Sequence, residues 1–455
     1  MKKLLFAALG VCALGATAQK TDVMFFLDTE DYTTSRSDDS IIELATLFQE
    51  EGVVANFDVV GFLVQKLIEN RRYDILDAIK THAVGTQSLY HSLHPTDCEL
   101  ADTPDAREAY RRVHERESID LGMVRAGFGM DEVKFMTMPG NSFSYIAGNV
   151  AYDLGMVAGL DVVPGAQYGM WYANLFMLPY HRNIECYLPP NPEPDLKKQL
   201  DEWAKMPYVG LSMHPDKLRS MTHWDIVNYP RENLCKWREW KEAPRRKEAD
   251  VQEFYRRLRV LIRALKADGR FNVTDASTVI ATLKPRREIV PADLPQIETS
   301  LKADFGPVKA PASYCVADVF QAAVRFLRGE KSSLPGKALG FLEKPVGVTA
   351  PTVVKAAALK AAAEKLDLGW YIPPSIAVGD ATIGPADFLF AALEVLRTGA
   401  DEVTVSPREQ LGSFAAIKKL ETFDYSAWPI HSKSLNSKML SDRLRYQLWT
   451  LRYEW

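Results

Sequence analysis

Three carboxylates stand close together directly after a short apolar run, in the stretch Phe26-Leu27-Asp28-Thr29-Glu30-Asp31. Like charges held this close repel one another unless a proton or a cation intervenes. A divalent metal bound by one carboxylate, with another left as a general base, is one interpretation of the stretch. The other is a turn followed by a helix cap, because Asp and Thr favour both and the next residues have a helical pattern.

Two imidazoles follow in the stretch Gln87-Ser88-Leu89-Tyr90-His91-Ser92-Leu93-His94-Pro95. His91 and His94 are three residues apart and could share a metal, since neutral His is the usual nitrogen ligand. Loop histidines bonded to the backbone are the alternative. A further imidazole, His214, ends the apolar segment 208–213 and could serve either as a general acid or as a structural residue.

Strand and helix patterns alternate between residues 20 and 285, which predicts an α/β fold with a mainly parallel sheet. The number of units suits a barrel of about seven or eight strands, and the segment 184–188 is among the predicted strands. In such barrels the residues that follow the strands gather at one mouth. We therefore expect one cluster of polar residues from several strand ends: Asp28, Gln87, His91, Pro139, Asp161 and His214.

Taken together and in this order, the three segments resemble the polysaccharide deacetylase family of NodB-homology carbohydrate esterases, as a divergent member. The resemblance covers residues 20–285 and implies a distorted (β/α)7-type barrel. It also implies a divalent metal, zinc in many members, and hydrolytic removal of acetyl groups from a glycan. The family motif Thr-Phe-Asp-Asp places Asp28 as catalytic base and either Glu30 or Asp31 on the metal, with Asp31 preferred.

The second family motif, His-Ser/Thr-x-x-His, matches Gln87-Ser88-Leu89-Tyr90-His91 with Gln87 in the first ligand position. An amide is a weaker zinc ligand than an imidazole. A shifted alignment on His91 and His94 gives the expected metal set Asp31, His91 and His94. If this set does not form, metal binding is weak or absent, and the alternative is a catalytically degenerate barrel that binds carbohydrate.

The remaining motifs of the family carry over in part. Leu211-Ser212-Met213-His214 matches Leu-x-His with one extra residue and makes His214 the general acid. The stretch 137–141 matches Arg-Pro-Pro-Tyr-Gly but lacks the arginine, and a backbone N–H of its 139–141 loop is expected to stabilise the oxyanion. The expected substrate contacts are Tyr90, Pro139 and Asn141.

Residues 1–18 have the pattern of a signal peptide. Lys2 and Lys3 precede a short apolar run, and Ala16-Thr17-Ala18 offers a cleavage site. We therefore expect an exported protein that is periplasmic, cell-surface or secreted, and no later segment is apolar enough to span a membrane. The 55 Lys and Arg against 59 Asp and Glu give a net charge of −4 without a basic run, so nucleic acid is not an expected partner.

Pro-rich residues 286–308 are predicted to be a linker to a mainly helical domain, residues 309–455. Residues 317–328 and 386–397 resemble each other, which indicates an internal duplication. The pattern resembles pseudomurein-binding-type repeats and implies a cell-wall or glycan-binding role, and a purely structural helical domain is the alternative. The aromatic tail, which includes Trp428 and Trp449, could stack on sugars or belong to the core.

Overall fold

The computed structural model describes residues 20–160, 168–180, 182–230, 239–412, 425 and 428–454. The predicted signal peptide and Asp161 lie outside these residues. Within the described part of the chain, no helix is long and apolar enough to cross a membrane.

A curled, mainly parallel sheet of eleven strands dominates the described residues and confirms the predicted α/β fold. Its order is β15-β6-β7-β5-β4-β3-β2-β1-β9-β8, and β10 also pairs with β1. The two ends of this order do not pair with each other in the described residues, so the barrel is open. The strands of the sheet are β1 Thr21–Thr29, β2 Asn56–Val59, β3 Ala83–Thr86, β4 Phe135–Met136, β5 Ala158–Leu160, β6 Met170–Tyr172, β7 Leu175–Leu178, β8 Arg182–Asn183, β9 Tyr208–Met213, β10 Phe271–Thr274 and β15 Arg452–Tyr453.

Helices connect most of the strands and cover the outside of the sheet. In the first 285 residues they are α1 Ser35–Glu50, α2 Gly61–Glu69, α3 Tyr73–Ile79, α4 Asp97–Ala101, α5 Ala106–Phe128, α6 Ala147–Asp153, α7 Leu196–Trp203, α8 Asp216–Arg219, α9 Trp224–Asn228, α10 Glu248–Ala267 and α11 Ala276–Thr282. The longest, α5, begins where the Asp105 carboxylate accepts the N–H groups of Arg107 and Glu108, and it ends at Gly129, which has a φ of +63°.

The strand β1 is the centre of the sheet and carries the first group of carboxylates. It is apolar and almost wholly buried because it pairs with β9 on one side and with β10 and then β2 on the other. Its last paired residues include Asp28, which lies in register with Asp58 of β2. The β1 carboxylates therefore leave the sheet at its carboxyl edge, as the sequence predicts.

The prediction of a strand at residues 184–188 is wrong. Residues Ile184–Tyr187 form a single 3-10 turn instead. The cause is local, since the side chain of Asn183 accepts the backbone N–H of Glu185 at 2.6 Å and so caps the turn. This turn gives Glu185 its position at the mouth of the barrel.

Residues between 289 and 405, with Tyr446 and Trp449, form a second apolar core, and part of the predicted linker is helical within it. The helices after residue 285 are α12 Leu294–Ala303, α13 Val316–Leu327, α14 Ala356–Lys365, α15 Pro385–Thr398 and α16 Ser437–Arg445, and the remaining strands are β11 Thr352–Lys355, β12 Ile376–Val378, β13 Ala381–Ile383 and β14 Glu402–Val405. The two similar sequence stretches lie in α13 and α15. These helices pack together through Phe320 and Phe388, whose ring centroids are 5.7 Å apart. The duplication and the glycan-binding role remain predictions.

The C-terminal segment returns to the barrel. After α16, the strand β15 pairs antiparallel with β6 at the edge of the main sheet. Trp428, which precedes α16, reaches the barrel mouth and packs against Gly140. The mouth is therefore built by both parts of the chain.

Candidate active site

One cavity of about 540 Å³ opens at the carboxyl edge of the sheet. Its volume lies in the range typical of small-ligand sites. Strand ends and the loops after them supply most of its lining, and Trp428 and Pro429 form part of its wall. The titratable or amide side chains that line it are Asp28, Glu30, Gln87, His91, Asn141, Asn183, His214, His223 and Asp225.

Asp28 is held from one side only. Its Oδ2 accepts a hydrogen bond from the Tyr180 hydroxyl and lies 3.3 Å from Nε2 of His214. Its Oδ1 has no hydrogen-bond partner among the described residues and lines the cavity. Burial, partly offset by His214, raises the pKa of Asp28 to about 6. A carboxylate with one free oxygen and a pKa near neutrality is suited to accept a proton.

His214 is fixed by a carboxylate behind it. Both its backbone N–H and its Nδ1 contact Oε1 of Glu185, at 3.0 and 2.6 Å. Burial lowers the pKa of His214, but the nearby carboxylates of Glu185 and Glu30 outweigh burial and raise it well above its usual value. The imidazole is therefore held protonated, with Nε2 towards Asp28 and the cavity, which is the state that a general acid needs.

Glu30 and His91 meet at the base of the cavity. Oε2 of Glu30 lies 2.9 Å from Nε2 of His91. The other oxygen of Glu30 accepts the indole N–H of Trp224 at 3.0 Å, and Nδ1 of His91 lies 2.6 Å from Oγ of Ser92. The Ser92 hydroxyl in turn donates to Asp225 at 3.1 Å. Both side chains are therefore oriented by outer partners, as metal ligands are.

Two buried acceptor atoms at this mouth, Asp28 Oδ1 and Gln87 Oε1, have no hydrogen-bond partner in the described part of the chain, and Glu30 Oε2 and His91 Nε2 face only each other. Buried polar atoms are normally satisfied, so two open acceptors beside a buried carboxylate–imidazole pair in one cavity favour an occupant that accepts electron pairs. Carboxylate and amide oxygens with an imidazole nitrogen fit a divalent cation. Because this set has three oxygen ligands and one imidazole, it suits hard cations such as Mn²⁺ better than the two-histidine set of the family motif does.

Asp31 does not join this group. Its Oδ1 accepts the backbone N–H groups of Thr33 and Thr34 at 2.8 and 3.1 Å, and its Oδ2 accepts the Ser37 hydroxyl at 2.6 Å. The carboxylate therefore stabilises the turn at the start of α1, which is the capping alternative that the sequence left open. Glu30 is the carboxylate that faces the cavity, so the set Asp31, His91 and His94 is not formed.

His94 is also turned away from the cavity. Its Nδ1 lies 2.8 Å from Oε2 of Glu99, and it lines a separate surface groove. Glu99 closes the capping box at the start of α4, which fixes His94 there. The sequence spacing of the two histidines is therefore compatible with a shared ion, but the loop between them points the rings to different places.

The three expected substrate contacts have different positions. Asn141 is exposed and lines the cavity, in a loop where it has a φ of +54°. Tyr90 does not line the cavity, because its ring packs on Phe62 at 5.4 Å. Pro139 is buried beneath the loop and is not part of the lining. The expectation for Tyr90 and Pro139 as direct contacts is therefore not supported by their placement.

Several site residues carry no sequence motif. Tyr180 and Glu185, which orient Asp28 and His214, come from the segment between β7 and α7. His223 lies between α8 and α9, Asp225 lies in the first turn of α9, and Trp428 comes from beyond the barrel. The indole of Trp428 donates to Asp225 at 3.3 Å and meets His91 edge-on at 5.3 Å. Only Trp428 had a sequence signal, as one of the aromatic residues of the tail.

No family model matches this chain, and no curated protein sequence matches it. Solved structures do match. A CE4 family pseudoenzyme from Bacillus anthracis is 15% identical with a TM-score of 0.34, over 57% of this chain and 66% of that chain. A putative polysaccharide deacetylase from Mycobacterium smegmatis is 12% identical with a TM-score of 0.38, over 60% of this chain and 94% of that chain.

A probable polysaccharide deacetylase from Pseudomonas aeruginosa PAO1 is 8% identical with a TM-score of 0.39, over 57% of this chain and 90% of that chain. The matches to three structures of CE4 family pseudoenzymes span 66–68% of their length. The solved structures named here are described as polysaccharide deacetylases or as pseudoenzymes of the CE4 family.

Proposed function

We propose that this protein is an exported, metal-assisted hydrolase that removes acetyl groups from a glycan. The observation that carries the proposal is the unpartnered Asp28 Oδ1, which shares one cavity with the unpartnered Gln87 Oε1 and with the buried pair of Glu30 and His91. A base, a cation-binding set and a protonated imidazole thus share one cavity, and these are the parts that acetyl hydrolysis requires.

Glu30, Gln87 and His91 are the residues that would hold the cation. A bound divalent cation lowers the pKa of water towards neutrality and polarises a carbonyl. The chain itself orients the ligands, since Trp224 fixes Glu30 and Ser92 fixes His91. Trp428 meets His91 edge-on and forms part of the cavity wall beside it.

The residues of the chain supply the proton transfers. Oδ1 of Asp28 accepts the proton of the attacking water while the water oxygen bonds to the acetyl carbon. The bond from that carbon to the sugar nitrogen, or to oxygen in an ester, then breaks. Nε2 of His214 gives its proton to the departing atom, so that acetate and a free amine or hydroxyl leave. Tyr180 and Glu185 keep the base and the acid in place.

The oxyanion would be stabilised at the loop that contains Gly140. Pro139 has no N–H, and the N–H of Asn141 is bonded to the Met138 carbonyl at 3.0 Å. Gly140 lines the cavity and carries the remaining backbone N–H of this loop. Asn141 is the polar side chain of the same loop that can hydrogen-bond to a sugar.

A carbohydrate-binding barrel without catalysis is the second candidate, and Gln87 favours it. Gln87 occupies the position in which the family motif has a zinc-binding histidine. Among the described residues that line the cavity, none is Lys or Arg, in line with the arginine missing from the stretch 137–141. Weak metal binding would leave Asp28 unable to activate water at a useful rate.

Acetate release from acetylated chito-oligosaccharides tests the proposal. The wild-type protein, loaded with Zn²⁺ or Mn²⁺, should release acetate, and a chelator should stop it. Asp28→Asn should abolish release but keep sugar binding, because only the proton acceptor is lost. Sugar binding by the wild type without acetate release under any metal would instead establish the binding role.

A further inference from the structure

We propose that His223 supplies the second imidazole of the cation site, in the place of the histidine that Gln87 replaces. His223 lies between α8 and α9, far in sequence from every motif that resembles the family. The inference rests on the proposed metal-assisted function and names a ligand that this function needs. It concerns the metal itself, so it can be tested by metal binding without an assay of catalysis.

The first support is distance. Glu30, His214 and His223 each offer one ligand atom, and these three atoms lie within 4.8 Å of one another. No other trio of His, Cys, Asp or Glu in the described residues meets this condition. Glu30 also approaches His91 to 2.9 Å, so it is common to both groups. His91 is not a member of this trio, so one cation on Glu30 binds both His91 and His223 only after one of the two rings turns towards it.

The second support is availability. Both ring nitrogens of His214 face carboxylates, Nδ1 towards Glu185 at 2.6 Å and Nε2 towards Asp28 at 3.3 Å. The His223 ring makes no hydrogen bond within the residues that the structure describes, and it lines the cavity. The His223 ring packs edge-on against the His214 ring, with 4.6 Å between the ring centroids. Of these two imidazoles, His223 is the one free to bind a cation.

The third support is the segment on which His223 lies. The next residue, Trp224, is fully buried and donates its indole N–H to Glu30. Asp225 accepts the Ser92 hydroxyl that contacts His91. Residues 223–225 therefore include the proposed ligand His223, contact the ligand Glu30 through Trp224, and orient His91 through Asp225 and Ser92. A ligand on this segment is positioned by the same contacts that position Glu30 and His91.

The ligand set that results is one carboxylate and two imidazoles, with the Gln87 amide oxygen beside them. Such a set provides the nitrogen ligands that zinc prefers and leaves room for water. The chain thus keeps the chemistry of a two-histidine site although its second motif has lost a histidine. The imidazole enters from the loop after β9 instead of the loop after β3.

The test measures Zn²⁺ affinity of the full chain after removal of bound metal with a chelator, by competition with a coloured zinc indicator. His223→Ala should bind Zn²⁺ at least about tenfold more weakly than the wild type. His114→Ala, on the surface of α5, should bind as the wild type does. Gln87→His combined with His223→Ala should regain most of the affinity, because it returns an imidazole to the first motif position.

Zinc X-ray absorption provides a readout that a folding defect cannot imitate. The wild type should show two imidazoles on zinc, and His223→Ala, checked for an unchanged thermal unfolding profile without metal, should show one. Equal affinity and equal imidazole count in the two proteins would overturn the inference while leaving metal-assisted hydrolysis standing. A wild type that binds no divalent cation would overturn both, and two imidazoles without acetate release would remove only the proposed activity.

Discussion

Nε2 of His91 lies 2.9 Å from Oε2 of Glu30, yet neither atom has an aligned hydrogen bond in the described residues. Both side chains are at most 3% exposed. A buried pair of this kind is stable only if a proton or a cation is shared between the two atoms. The position of this pair under the open oxygen of Asp28 is what joins metal binding to proton transfer in our account.

Substitution of the two adjacent carboxylates should separate metal binding from folding. Glu30→Gln should weaken binding of Zn²⁺ or Mn²⁺ by more than the roughly 10–100-fold that loss of an outer partner costs. Asp31→Ala should leave metal affinity unchanged and lower the free energy of unfolding by about 0.5–2 kcal/mol, as loss of a helix cap does. Calorimetric titration and urea unfolding measure the two effects. If Asp31→Ala lost metal affinity and Glu30→Gln did not, Asp31 and not Glu30 would be the metal ligand, and our assignment would be wrong.

Glu185 should act on the reaction through His214. Its carboxylate stabilises the imidazolium, so Glu185→Gln should lower the pKa of His214. Because the general acid must be protonated, the basic limb of the kcat/KM profile should move to lower pH, with a smaller change near pH 5. NMR titration of the ring reports the same pKa directly. A basic limb that does not move would show that His214 is not the proton donor.

Gly140 should be intolerant of a side chain because of Trp428. A Cβ at Gly140 would overlap the Trp428 indole, and the residue has a φ of +58°. Gly129 has a similar φ of +63° but open space around it, so Gly129→Ala is a matched control for the backbone cost. Thermal or urea unfolding should show Gly140→Ala less stable than Gly129→Ala by about 1–3 kcal/mol, the typical cost of overpacking.

Trp428→Ala should remove most of this difference, since the indole is the group that collides. If the two alanine variants were equally stable in the wild-type background, the C-terminal segment would not lie against the loop that contains Gly140. That result would also remove Trp428 from the wall of the cavity.

Asp120 should make stability depend on pH in a specific direction. Burial raises the pKa of Asp120 to about 7, while hydrogen bonds from Thr86 and Gly61 partly oppose the rise. Between the pKa of the unfolded chain, near 4, and that of the folded protein, the folded state holds more protons. The free energy of unfolding therefore falls as pH rises, by at most about 1.4 kcal/mol per pH unit, and is constant above pH 7.

Asp120→Asn keeps a hydrogen-bonding side chain and cannot ionise, so the wild type should lose stability relative to it between pH 4 and 7. Urea unfolding of both proteins across this range measures the difference. A difference that does not change with pH would mean that Asp120 ionises in the folded protein as it does in the unfolded chain.

The alternation of strands and helices predicted the parallel sheet and the gathering of Asp28, His91 and His214, because strand ends of a parallel sheet share an edge. The choice between Glu30 and Asp31 could not be made from sequence. Successive residues point to different sides, and the start of α1 decides which carboxylate it uses. Asp31 bonds the turn that precedes α1, so Glu30 is left for the cavity.

Residues that reach the site across the fold could not be predicted in the same way. Tyr180 and His223 belong to irregular segments without periodicity, and Trp428 reaches the mouth only because the C-terminal part folds back on the barrel. The 3-10 turn that places Glu185 was predicted as a strand, since its apolar residues alone do not reveal the Asn183 cap. Such contacts depend on tertiary packing, which local patterns do not encode.

Anomalous diffraction from crystals soaked with Zn²⁺ is the most direct test of a cation held at the barrel mouth. We expect one peak about 2.0–2.2 Å from Oε2 of Glu30 and from Nε2 of His91. A cavity without a peak at saturating Zn²⁺, or a peak on Asp31 or His94 instead, would contradict it.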